Sequence, residues 1–133
     1  MAEVGAERER LNALTDRIIG AAIEVHRQLG PGLLESTYEV CLQHEMETRG
    51  LHVRKQVALP IVYKGIQLDE GYRIDLLVDE QVVVELKAVE QILPVHEAQV
   101  LSYLKLSGRK VGLLLNFRAV LMKDGIRRFV YGK

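Results

Sequence analysis

The sequence predicts a single α/β (α+β) sandwich, and three features of its patterning carry that expectation. Apolar residues in the first 50 positions recur every three or four, as they do where a helix lays one face on a core. From His52 onward the spacing shortens to two, the period of half-buried strands. A further helical stretch after Leu93 separates two groups of strand candidates, so helices and sheet are layered against each other.

The first ten residues, MAEVGAERER, mix acids and arginines without an apolar run and read as a flexible lead (1–10) to one domain over 11–133. Leu11, Leu14, Ile18, Ala22, Val25 and Leu29 mark the face of a first helix, with Thr15 and Asp16 as candidate caps and Gly30-Pro31-Gly32 as its stop. A second helix runs from Leu33 to Arg49, directing Leu34, Tyr38, Cys41 or Leu42, and Met46 inward, and Gly50 suits a left-handed end. Val53–Tyr63, Gln67–Val78 and Val82–Ala88 read as strands, with Gly65 marking a turn. Pro94 fits the first turn of a third helix, His96–Ser107, closed by Gly108. Val111–Phe117, Ala119–Met122 and Ile126–Tyr131 complete the order ααβββαβββ.

Composition narrows the functional classes. The 133 residues are 48% hydrophobic and 27% charged, a globular balance that excludes a wholly disordered or fibrous chain. Runs such as Val57–Val62 and Val111–Leu115 fall far short of the roughly 18–20 apolar residues that span a bilayer, and no secretory signal is visible, so the cytoplasm is the expected compartment. Cys41, the single cysteine, excludes an intrachain disulfide and reads as a small core residue. Formal charge is zero, which argues against coating nucleic acid by charge alone. The distribution is uneven: residues 1–50 carry five basic and nine acidic side chains, and residues 105–133 carry eight basic ones against Asp124 alone. That run is either a solvated face or a phosphate-facing surface.

The most informative segment is Tyr72–Ala88. Tyr72, Ile74, Leu76 and Val78 alternate with Arg73, Asp75 and Leu77; Val82, Val84, Leu86 and Ala88 alternate with Val83, Glu85 and Lys87. Burying both apolar sets together fixes the register, because a slip of one residue turns a whole face over. A connection through Asp79-Glu80-Gln81 sets Val78 against Val82, Leu76 against Val84 and Ile74 against Leu86. The same register sets Asp75 against Glu85 and Arg73 against Lys87. Opposed carboxylates weaken a sheet unless a cation, a shared proton or a basic neighbour offsets their repulsion. A hard divalent ion such as Mg²⁺ meets that need, with Lys87 beside it; a plain surface cluster neutralised by Lys87 or Arg73 is the other reading.

Asp75, then Glu85-Leu86-Lys87, preceded by the helical Glu35, resembles the PD-(D/E)XK nuclease superfamily, and Gly32-Leu33-Leu34-Glu35-Ser36-Thr37-Tyr38 resembles the signature of its GxxExxY family. The likeness extends through His96-Glu97-Ala98-Gln99, Tyr103-Leu104 and Gly112–Phe117, nearly the whole chain from Leu14 to Tyr131. It implies a restriction-endonuclease-like core, with a central mixed β-sheet flanked by helices, and Mg²⁺- or Mn²⁺-dependent hydrolysis of phosphodiester bonds in DNA or RNA. In that resemblance Asp75, Glu85 and the Leu86 carbonyl are metal ligands, Glu35 joins them through water, and Lys87 is the catalytic lysine. Gln99 and Tyr103 resemble a supporting Gln-x-x-x-Tyr element, with His96 and Tyr38 beside them. Ile74 replaces the proline of the superfamily name. On the residues alone, Glu35 is equally a first-turn acid favoured by the helix dipole, and His96, Gln99 and Tyr103 a solvated stripe. His26 and His44 read as structural. The alternative function is a catalytically silent nuclease-fold module that binds or regulates within a nucleic-acid-associated complex, as a homodimer or with a protein partner.

Overall fold

The computed structural model describes residues 2–132. Two helices, α1 (Ala2–Leu29) and α2 (Glu35–Thr48), precede strands β1 (Val53–Ala58), β2 (Ile61–Tyr63), β3 (Ile66–Leu68), β4 (Arg73–Val78) and β5 (Val82–Lys87). Helix α3 (Pro94–Ser107), strand β6 (Val111–Asn116), a 3₁₀ turn over Met122–Gly125 and strand β7 (Ile126–Val130) follow. Five strands form one mixed sheet in the order β1-β4-β5-β6-β7, in which only β5 and β6 run parallel. That parallel pair requires a crossover, and α3 supplies it. No helix among the described residues is long and apolar enough to cross a membrane.

Both faces of the sheet are covered. Leu11, Leu14, Ile18, Ala21, Ala22 and Val25 of α1 and Tyr38, Leu42 and Met46 of α2 pack with Leu76, Val78, Val82, Val84, Leu86, Leu113 and Leu115. On the other face Val100, Tyr103 and Leu104 of α3 pack with Leu77, Val83 and Leu114. This explains why β5 and β6 are nearly continuous apolar runs: a parallel pair buried on both sides has no solvent face to keep polar. Cys41 is half-buried against the larger cluster.

Several elements differ from the sequence expectation. Residues of the expected lead are helical, with Lys110 bonded to Glu7 and Arg10 reaching Gln81, so charged tertiary contacts extend α1 where no apolar face announced it. Thr15 is therefore mid-helix, its hydroxyl donating to the Asn12 carbonyl, and neither it nor Asp16 is a cap. Leu29 and Leu34 are exposed at helix ends rather than buried. The long strand expected over Val53–Tyr63 breaks at Pro60, which has no N–H to give a ladder, and Ile61–Tyr63 pairs instead with Ile66–Leu68 as a separate hairpin. Ala119–Met122 is a turn leading into 3₁₀ geometry rather than a strand; there a Cβ on Gly125 would lie 2.3 Å from the Asn116 carbonyl oxygen, which leaves no room for a side chain.

The hairpin register is as alternation dictates at Val78↔Val82, Leu77↔Val83 and Leu76↔Val84, but the ladder stops there. Ile74 leaves the phase of Leu76 and Val78 and joins Leu77 on the α3 face, and Val57 of β1 moves with it away from the face of Val53. The change falls at Gln56, a non-glycine residue at φ 51° whose amide reaches Asp75 and at which the β1–β4 register skips a pair. A left-handed residue within a strand turns the following residues over. β1 and β4 therefore share a half-twist centred on Gln56 and Asp75.

Tyr38 is fully buried, stacks on Phe117 with centroids 4.6 Å apart, donates its hydroxyl to the Gly30 carbonyl at 2.5 Å and accepts the Leu33 N–H at 3.1 Å. It clamps the turn that delivers Glu35 to the start of α2. Tyr38→Phe keeps the stack and loses both bonds, so urea unfolding is expected to show a loss of about 1–2 kcal/mol; no change would mean the clamp contributes nothing.

Candidate active site

Where the β4–β5 ladder ends, two side chains take its place. The Asp75 N–H donates to Glu85 Oε2 at 2.8 Å, and the Leu86 N–H donates to Asp75 Oδ2 at 2.9 Å. Each acid thus satisfies a main-chain donor of the opposite strand that the split would otherwise orphan. Asp75 and Glu85 come together as expected, but each is engaged with the main chain of the other strand rather than simply opposed across a continuing ladder. Within an extended strand the N–H and C=O of a residue project to the same side, so the Leu86 carbonyl also faces the split.

Burial sets the electrostatics. Glu85 is 3% exposed, and its pKa is pushed up to about 8, first by loss of solvent and then by the Asp75 charge; the Asp75 N–H and Lys87 oppose the shift only in part. Glu35, half-buried at the first residue of α2, is also raised, by desolvation and then by Asp75, with Lys87 opposing. Glu35, Asp75, Glu85 and Lys87 therefore share one field although they come from α2, β4 and β5. Tyr103 is raised as well, by burial first and Glu85 second.

The remaining expected residues divide. Gln99 Nε2 donates to the Tyr103 hydroxyl at 3.1 Å, so those two are paired as the spacing suggests, and Tyr72 meets the Tyr103 ring edge-on. His96 Nδ1 accepts the Leu93 N–H at 2.9 Å and closes the start of α3, which places the proton of the neutral ring on Nε2. Lys87, His96, Gln99 and Ser102, with Val95 and Ala98, line an open groove of about 450 Å³ whose lining holds no carboxylate. Tyr38 is spent on the core as described above. His26 binds the Ala119 carbonyl at 2.7 Å and is structural.

The C-terminal basic run is only partly paired with acids. Arg109 pairs with Glu80, Lys110 with Glu7, Arg118 with Glu90 and Arg127 with Glu97, whereas Arg128 donates to the neutral Asn12 and the exposed Lys105 and Lys123 meet no acid among the described residues. Lys133 lies outside the described residues. Two residues near the site were given no role from the sequence: Gln56, whose amide spans Glu39 and Asp75, and Asn116, which lies in the Gly112–Phe117 segment of the resemblance and holds both the N–H and the C=O of Val89 just beyond β5. A polar residue ending the wholly apolar run Val111–Leu115 was the available signal for Asn116; Gln56 had none.

A protein-family profile described as the PD-(D/E)XK nuclease superfamily matches residues 12–129. The chain belongs to that superfamily. No curated protein and no solved structure matches it. As a PD-(D/E)XK protein it has the mixed five-stranded sheet flanked by helices of a restriction-endonuclease-like fold. Divalent metals are general cofactors in this superfamily. Among the described residues no three His, Cys, Asp or Glu side chains converge into a ready-made cage. The oxygens on hand, from two carboxylates and a carbonyl, suit a hard ion that keeps several waters, since Mg²⁺ is held by one or two carboxylates plus substrate phosphate.

The raised Glu85 pKa makes stability depend on pH. Folded protein keeps a proton that the unfolded chain releases near pH 4.5, so without metal the folded state loses stability as pH rises from about 4.5 to about 8 and then levels off. Glu85→Gln, which can still accept the Asp75 N–H, is expected to flatten that slope to the part that Glu35 contributes and gain about 1–2 kcal/mol at pH 9 by urea unfolding. Stability that climbs over the same window would contradict the buried-acid account.

Proposed function

We propose that this chain is a Mg²⁺- or Mn²⁺-dependent nuclease of the GxxExxY family that hydrolyses phosphodiester bonds of DNA or RNA, acting in the cytoplasm, where a lone Cys41 stays reduced. The observation that carries the reading is the split between β4 and β5, where Asp75, Glu85 and the Leu86 carbonyl face one another beside Lys87. A buried acid whose pKa is pushed up to about 8 holds its proton at neutral pH, and a cation beside it is what would let it ionise.

In this reading Asp75 Oδ1 and Glu85 Oε1, the oxygens not given to the two main-chain amides, hold the ion together with the Leu86 carbonyl, and Glu35 bonds its outer waters. The ion, when bound, supplies activation of water and neutralisation of phosphate charge. Lys87 lies at the mouth of the α3 groove, where its ammonium orients the attacking water and offsets charge on the pentavalent phosphorus. Ser102, Gln99 and the Nε2–H of His96 offer donors to the phosphates flanking the scissile one, a mode of contact that positions the strand without reading its sequence. Gln99 also fixes the Tyr103 hydroxyl behind Glu85.

Calorimetric titration with Mn²⁺ tests the metal site: wild type is expected to bind and Asp75→Ala to lose binding by at least about tenfold. With labelled DNA and RNA, Lys87→Ala is expected to reduce cleavage by about 10²-fold or more with Tm unchanged, because the side chain lies outside the core. Metal and strand binding without turnover would identify the silent binding module instead; full-rate cleavage by Lys87→Ala would exclude this site as its source.

A further inference from the structure

We infer that Gln56 is a positioning residue that sets the Asp75 carboxylate, and that its strained backbone is the means by which β1 presents that amide. The inference rests on the metal-site reading above and extends it to a residue that no motif marks.

Three observations converge on Gln56. Its φ of 51° lies in the left-handed region, which a residue other than glycine, asparagine or aspartate rarely enters, and strain of this kind persists where the surroundings impose it. Its Nε2 donates to both carboxylate oxygens of Glu39, at 3.1 Å each, and reaches Asp75 Oδ1 at 3.4 Å, so one neutral amide stands between two acids that would otherwise repel. Its neighbours Lys55 and Val57 pair with Leu76 and Ile74, yet those two pairs lie on opposite faces of the sheet. The main chain confirms the reversal: the Tyr72 carbonyl is spent on Leu59 at the β1 side, whereas the Val78 carbonyl accepts Gln81 at the β5 side.

The geometry links strain to site. Without the left-handed residue, β4 would keep one phase from Tyr72 to Val78, and Asp75 would simply oppose Glu85 across a continuing ladder. With it, Asp75 reaches the Leu86 N–H through Oδ2, and the Gln56 amide holds Oδ1 at the open end of the split. A hydrogen bond to one oxygen restrains rotation of the carboxylate about its last torsion, which selects the orientation a cation meets.

Gln56→Gly separates backbone from side chain, because glycine enters this region without strain. The expected result is a Tm equal to or above wild type, amide exchange at Leu86 several-fold faster in metal-free protein, and Mn²⁺ affinity reduced at least about fivefold. Gln56→Asn, which tolerates the same φ but is too short to span Glu39 and Asp75, is expected to behave like the glycine variant. A clear fall in Tm for Gln56→Gly would make Gln56 a structural residue and overturn the inference. Unchanged Leu86 exchange with unchanged Mn²⁺ binding would overturn it too. If wild type takes up no Mn²⁺ while Leu86 exchange still quickens in both variants, the positioning of Asp75 stands and the metal reading fails.

Discussion

The structure turns on an exchange of main-chain and side-chain partners across one split in the sheet. Asp75 gives its N–H to Glu85, and Leu86 gives its N–H to Asp75. An antiparallel pair of strands that parts in mid-sheet exposes donors and acceptors in a region too buried for water to serve them, a cost of a few kcal/mol per orphaned group. Carboxylates are strong acceptors, so they close the gap that their own strands create. In the proposed reading the same two residues carry two duties, one to the fold and one to a cation.

Those duties pull against each other electrostatically. Hydrogen bonds from amides favour the charged carboxylate, yet for Glu85 desolvation and the nearby Asp75 charge outweigh them. Burial between α3 and the sheet, with Tyr103 and Val83 on the same side, produces that desolvation. Lys87 alone does not restore the balance, because its stem emerges at the groove while Glu85 points inward.

Much of this was legible in the amino-acid order. Alternation in Leu76–Val78 and Val82–Val84 fixed the hairpin register, and spacings of three and four placed Leu14, Ile18, Val25, Tyr38 and Met46 in the core. The Glu-x-Lys strand with its opposing Asp pointed to the two acids that the structure brings together at the split. Strict alternation failed at Ile74 because it assumes an unbroken strand, and a glutamine gives no warning of a left-handed turn as glycine would. The N-terminal part of α1 was invisible for a different reason: Glu7 and Arg10 gain their partners only once Lys110 and Gln81 have been brought alongside by folding. The apolar run Ala119–Met122 looked like a strand, yet Val120 and Leu121 face solvent and only Met122 enters the core.

The pairing of Arg109, Lys110, Arg118 and Arg127 with acids from four other segments has a kinetic side. Far from the molecule each such couple looks like a dipole, and at physiological salt its field dies within about 8 Å. These four cations therefore add little long-range pull on an approaching polyanion, and their share in its capture changes little with ionic strength. In the proposed reading, residence on a strand would then come from short-range fit at the groove.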